Sequence, residues 1–360
     1  MPKKDERLLR VGVLGCGPIA QAAHFESCTK ARNAELYAIC DVADDLRDRM
    51  AATHAPRRSF ADYDAMLADP DLEAVIIATS DAFHVAAARR ALEAGKHVLC
   101  EKPLATGIEE AESLRGAAGG LVLQVGHMKR YDAGLQAAKA FIDGGPAGGM
   151  GEMVALKAWY CDSTHRYPMT DAVQPLMVAS AQARKPAGNP KADLDRYYML
   201  AHGSHLVDTA RYFAGELVAV DARLSKRGGM HCWFVDVEFA SGVLGHLDLT
   251  VAVRMDWHEG FQIYGAGGSV LGKTYNPWYY KTSEVDIFHE SDGATRRVLG
   301  ADGHFYRRQV EGFAQTVLTG QGTGGADLED GIASVRAMVA IAQSARSGQP
   351  VRLADVSGSL

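Results

Sequence analysis

The sequence predicts an α/β protein in two parts: an N-terminal doubly wound domain around a parallel sheet, and a C-terminal α+β domain with a large, mostly antiparallel open sheet. Three observations predict it. At 360 residues the chain is long enough to bury two cores. Between about residues 10 and 125, short apolar runs alternate with helical patterns, the rhythm of βαβ units. Further on, strand-like runs follow one another and meet at tight glycine turns, the rhythm of hairpins.

The first set of runs is VGVLG (11–15), ELYAICD (35–41), AVIIATS (74–80), HVLCE (97–101) and LVLQVG (121–126). Each is short and apolar throughout, as expected of strands covered on both faces. The segments between them, such as FHVAAARRALEAG, carry apolar residues at helical spacing and end in Gly. In such a sheet a ligand crevice is expected at the carboxyl ends of the strands. Glycine-dense DGGPAGGMGE (143–152) marks the handover. The division expected is 1–128 and 129–360, with the last helices able to pack back on the first domain. HCWFVDVEFASGVLGHLDLTVAV (231–253) reads as a hairpin turning at Ser241-Gly242, and GFQIYGAGGSVLG (260–272) as another turning near Gly267-Gly268. Two helices are expected at about 305–319 and 327–347. Residues 161–198 read as a long, polar, irregular loop, functional or disordered. An open apolar sheet face near Trp233 to Val253 predicts a homodimer or homotetramer.

Composition narrows the partners. With 47% hydrophobic and 23% charged residues the chain is an ordinary folded protein. A formal net charge of -6 argues against nucleic acid or an anionic membrane and leaves a small molecule. No run approaches the roughly 18 apolar residues of a membrane helix. Six cysteines without a CxxC pair point to a reducing cytoplasm. The basic, then apolar start imitates a secretion signal, but cleavage there would remove the motif described next.

That motif is Gly15-Cys16-Gly17-Pro18-Ile19-Ala20, which joins the first strand to a helix. Gly15 permits a tight turn, Gly17 lets a pyrophosphate approach the backbone, and Ala20 lets the helix pack closely. Asp41 ends the next strand, where a carboxylate can hold both ribose hydroxyls and repel a 2′-phosphate, so NAD is expected over NADP. Two further strand ends carry small or polar residues at the crevice lip: Thr79, Ser80 and His84, then Glu101-Lys102-Pro103. Pro103 restricts Lys102 and allows a cis bond, which would keep the ammonium from wandering. In MLAHGSHLVD (199–208), Ser204 reads as a helix N-cap beside His202, His205 and Asp208. A metal shared by His202 and His205 has no evident third ligand, and none is expected. A satisfied histidine at a helix start is the plainer alternative. His165, Arg166 and Tyr198 belong to a loop mix suited to gripping hydroxyls.

GCGPIA, Asp41, ATSDAFH, CEKP and GHMKRYD together resemble the Gfo/Idh/MocA oxidoreductases over nearly the whole chain. The resemblance implies an N-terminal Rossmann domain and NAD(P)-dependent hydride transfer, in the cleft between domains, to or from a secondary alcohol or ketone of a sugar, sugar derivative or cyclic polyol. By position it makes Lys102 the lysine at the reacting hydroxyl and His205 the acid or base, and it sets Arg130 and Tyr131 at the cleft. The chemistry is sensible in itself. An alcohol carbon gives up hydride as its hydroxyl proton departs, so a base active near neutral pH is needed, and imidazole is one. A cationic Lys102 would favour neutral imidazole and stabilise alkoxide. The expected cofactor set is therefore Gly15, Gly17, Pro18, Ile19, Ala20, Asp41, Thr79, Ser80, His84, Glu101 and Lys102. The expected substrate set is Arg130, Tyr131, His165, Arg166, Tyr198 and His202. One departure stands out: many members carry aspartate four residues before the histidine, as D-x-x-x-H, and here that position is Ala201. A catalytically silent NAD- or sugar-sensing regulator on the same fold is one alternative, and a dehydrogenase of a non-sugar such as an aromatic dihydrodiol is another.

Overall fold

A computed structural model describes residues 7–144, 149–164, 177–300 and 302–360. They form two compact units. The first comprises the described parts of Met1–Met128, Gln174–Ala192 and Tyr306–Ile332; the second those of Lys129–Val173, Asp193–Phe305 and Ala333–Leu360.

In the first unit, β1 (Leu9–Leu14), β2 (Ala34–Cys40), β3 (Arg58–Phe60), β4 (Ala74–Ile77), β5 (His97–Cys100) and β6 (Leu123–Val125) form one sheet. Its order is β3-β2-β1-β4-β5-β6 and all pairs are parallel. The order reverses at β1, so the ends of β1 and β4 flank a switch point where a crevice opens. Val11, Val13, Val75, Ile76, Ile77 and Leu99 are wholly buried, which is why these strands read as unbroken apolar runs. β3 escapes the sequence reading because Arg58-Ser59-Phe60 is a short, polar edge strand. One core packs Leu9, Val11, Phe25, Ile39 and Leu46 against Val310, Phe313 and Ala314 of the helix Phe305–Thr319. Each such large side chain contributes about 1.5–3 kcal/mol by burial.

The second unit holds a nine-stranded sheet, of which β7 (Met153–Ser163), β8 (Leu217–Arg227), β9 (Met230–Phe239), β10 (Leu244–Val253), β11 (His258–Gly265), β12 (Gly268–Thr274), β13 (Glu284–His289), β14 (Ala294–Arg297) and β15 (Val351–Arg352) are the strands. The order is β14-β13-β12-β11-β7-β10-β9-β8-β15. Every neighbour is antiparallel except β7 with β10. Both expected hairpins form, one turning through Gly242 at φ 84°, the other closing at the Gly265–Gly268 pair. Trp233 faces inward and is buried, while its neighbour Phe234 lies on the outer face with Tyr264, Leu271 and Phe288.

Two expectations are corrected here. Residues 161–198 are not irregular throughout: β7 runs on to Ser163, and a helix begins at Leu194. Ser204 is not an N-cap, because one helical run extends from Leu194 to Ala214 through a wide π turn, Met199–Gly203. The cap is Asp193, whose carboxylate accepts from the Arg196 N–H. A second π turn, Ala20–His24, opens the helix after the glycine motif. Such turns are frequent at functional sites.

Candidate active site

The glycine turn is built by sterics. Gly15 has φ 95°, and a methyl there would stand 2.8 Å from the Ala78 carbonyl oxygen. At Gly17 a methyl would meet nothing within 4 Å. That open space belongs to a cavity of about 590 Å³ lined by Gly15, Gly17, Pro18, Ile19, Asp41, Thr79 and Ser80, together with Leu46, Tyr63, Phe83, Ala87, Arg90 and Arg184. Its size and mixed lining suit a small-molecule site. A bare backbone at Gly17 leading into a helix fits a pyrophosphate, and Asp41 on the same wall fits a ribose. Ala20 lies behind the turn, buried in the core.

Asp41 also holds the turn together. Its Oδ2 accepts from the Cys16 N–H at 2.7 Å and its Oδ1 from the Ala43 N–H at 2.9 Å. A carboxylate has about four lone-pair sites, so capacity for hydroxyls remains.

At the next strand ends the structure separates residues that the sequence grouped. His84 is buried, its ring nitrogens bonded to the carbonyls of Pro103 (2.8 Å) and Thr79 (3.1 Å). It ties two strand ends together and does not line the cavity. Glu101 likewise turns inward: its Oε1 meets His24 Nε2 at 2.8 Å, and its Oε2 accepts from the Lys102 N–H at 3.2 Å. Burial pushes the Glu101 carboxyl up, but the hydrogen bond and charge of His24, with help from Lys102 and His84, hold it below the usual carboxylate range. Glu101 is thus a support for Lys102, whose bond to Pro103 is cis. His24 went unnoticed in the sequence because its partner is 77 residues away.

In the second unit, β7 and the helical run Leu194–Ala214 bring a different group together. Tyr160 and Asp162 alternate onto the same buried face of β7. His202 lies in the π turn, with Nε2 3.3 Å from Asp162 Oδ2 and Nδ1 3.4 Å from the Tyr160 hydroxyl. The His205 ring is parallel to the Tyr160 ring, 2° apart in plane and 5.8 Å between centroids. Trp257 meets Tyr160 edge-on at 5.0 Å, and Tyr198 leans on His202 at 6.0 Å. Beneath, Lys129 pairs with Glu259 and holds its ammonium 4.5 Å from the Tyr160 ring centre. Burial pushes both toward their neutral forms, Lys129 down and Glu259 up, each opposed by the other's charge.

Arg130 directs its guanidinium at a carboxylate of the protein. It is buried and forked onto Asp208, at 3.1 Å from Nε to each oxygen and 2.7 Å from Nη2. Asp208 therefore anchors Arg130. Tyr131 is buried nearby in sequence; His165 and Arg166 lie outside the described residues. Among the described residues no group of three or more His, Cys, Asp or Glu could hold a metal.

Comparison with known proteins joins these halves. Residues 9–127 match the Gfo/Idh/MocA oxidoreductase family's NAD-binding Rossmann fold, and residues 198–353 match that family's C-terminal alpha/beta domain. Inositol 2-dehydrogenase 2 of Saccharopolyspora erythraea is 28% identical over 362 residues, covering 96% of each chain. The 1,5-anhydro-D-fructose reductase of Ensifer adhaerens is 24% identical over 96% of this chain and 98% of its own. An NAD binding oxidoreductase from Klebsiella pneumoniae has the same fold, with a TM-score of 0.78 at 20% identity over 96% of this chain and 99% of its own. The glycine turn with its cavity, the cis Lys102-Pro103 step and the mixed nine-stranded sheet thus lie in one recognised frame, and the chain belongs to the Gfo/Idh/MocA oxidoreductase family.

Proposed function

We propose that the protein moves a hydride between NAD(H) and a secondary alcohol or ketone of a sugar, sugar derivative or cyclic polyol. The observation that carries this is the cavity at the glycine turn, with Gly17 bare and Asp41 on its wall. The inositol and anhydrofructose relatives support the substrate class. When bound, NAD supplies the hydride acceptor. Lys102 holds the reacting oxygen and stabilises its negative charge. His205 takes the hydroxyl proton as hydride leaves, and returns it in reduction. Asp41 selects NAD by accepting from the ribose hydroxyls and repelling a 2′-phosphate. Thr79 and Ser80 line the same cavity and contact the cofactor, while Tyr198 and His202 stand on the substrate side.

The test is NADH absorbance with a panel of polyols and keto sugars. Turnover that is lost in both Lys102→Ala and His205→Asn is the expected result; tight NADH binding with no turnover anywhere would defeat the reading. That outcome would favour a silent sensor, the second reading, which Ala201 supports. We also infer a homodimer or homotetramer through the exposed face bearing Phe234, Tyr264, Leu271 and Phe288. Light scattering that finds only monomer would exclude it. Six cysteines free of disulfides support a cytoplasmic location, and no helix among the described residues is long and apolar enough to cross a membrane.

A further inference from the structure

We propose that Asp162, acting through His202 and Tyr160, is the carboxylate that positions the proton-carrying histidine, His205. The inference rests on the role assigned to His205 above. Four side chains form one contiguous buried path: Asp162 Oδ2 to His202 Nε2 at 3.3 Å, His202 Nδ1 to the Tyr160 hydroxyl at 3.4 Å, and the Tyr160 ring flat beside the His205 ring. Each link constrains the next. An ionised Asp162 only accepts, so it selects the His202 tautomer protonated at Nε2. Nδ1 is then an acceptor and takes the Tyr160 O–H. The phenol ring, fixed at its tip, presents one face against which His205 settles in a single orientation.

The path also separates the two histidines. Both ring nitrogens of His202 are engaged within the protein, which makes His202 a positioning residue for His205. The other charges facing this path are paired off. Lys129 lies over Tyr160 but is closed on Glu259, and Arg130 is closed on Asp208. Tyr198 lies against His202, with His231 behind it. Asp162 thus acts on an imidazole from a strand that is distant in sequence from the helix that carries the histidines.

The full-length protein is assayed as wild type, Asp162→Asn, Asp162→Glu, Tyr160→Phe and His205→Asn. With a polyol that supports turnover, Asp162→Asn should lower kcat about tenfold or more while KM changes little. The acid limb of kcat in the oxidation direction should move to lower pH by about one unit, because a nearby negative charge favours imidazolium and its removal favours the free base. Asp162→Glu should restore part of the rate. Tyr160→Phe, which removes one hydroxyl and nothing else, should shift kcat in the same direction and serves if Asp162→Asn folds poorly. Histidine-ring 15N NMR needs no substrate: His202 should show a single Nε2–H tautomer that becomes a mixture in Asp162→Asn. Unchanged rate, limb and tautomer in Asp162→Asn, with His205→Asn inactive, would overturn the inference alone. Full activity in His205→Asn would overturn the role of His205 and this inference with it.

Discussion

At the scale of single residues, the side chains doing two jobs are the informative ones. Asp41 both faces the cavity and pins the Cys16 and Ala43 amides. Asp41→Ala should therefore lower the ratio of kcat/KM for NAD over NADP, and also cost about 1–3 kcal/mol of stability as those amides lose a charged acceptor. Paired steady-state kinetics and denaturant titration check both; an unchanged cofactor ratio would remove Asp41 from the ribose site. Glu101 gives a pH prediction. Its folded carboxyl is held below the unfolded value, so its contribution is present above the unfolded value, near about 4.3, and is lost as pH falls through the folded one. The stability gap between wild type and Glu101→Gln, followed by urea denaturation, should shrink as the solution is acidified through that window. Asp41 and the glycine turn were legible because their signal is local and ordered along the chain. His24, Asp162 and Glu259 were not, because each meets its partner only after folding, 130 residues apart in the case of Glu259 and Lys129.

Elements tell a similar story with a different cause. Strands buried on both faces announced themselves as apolar runs, and the two hairpins as glycine turns between alternating residues. The parallel pairing of β7 with β10 inside an otherwise antiparallel sheet had no such mark, since register between distant strands leaves no trace in either. The helix bearing His202 and His205 was misread at its start because Ser204 looks like a cap, whereas the backbone there is already helical. Close approach of elements offers a direct test. A methyl at Gly126 would sit 3.0 Å from Glu101 Cα and 3.2 Å from the Cys100 carbonyl oxygen, both backbone atoms that cannot swing aside. Gly126→Ala should cost about 1–3 kcal/mol by overpacking and should lower kcat by displacing the Glu101-Lys102 step. Thermal melting and the same NADH assay measure the two effects.

For the whole molecule, two cores mean two kinds of lesion. Lys129→Met leaves Glu259 buried without its cation, and should cost about 3–5 kcal/mol. That loss falls in the second unit, so the NADH dissociation constant measured by fluorescence should stay as in wild type. Phe313→Ala should do the reverse. It opens a hole in the first core worth about 3–5 kcal/mol and should weaken NADH binding. The two closing helices were legible as helices able to pack back on the first domain, but an apolar stripe does not name its partners, so the place of Phe313 in one core with Leu9 and Phe25 was not. That placement bears on biosynthesis. A ribosome makes β1 through β6 first, yet the side chains that complete their core, Val310, Phe313 and Ala314, are translated only after β7 through β14. The nascent sheet must wait with its apolar floor uncovered, a natural client for chaperones, and a fragment ending at residue 128 should aggregate where the full chain does not.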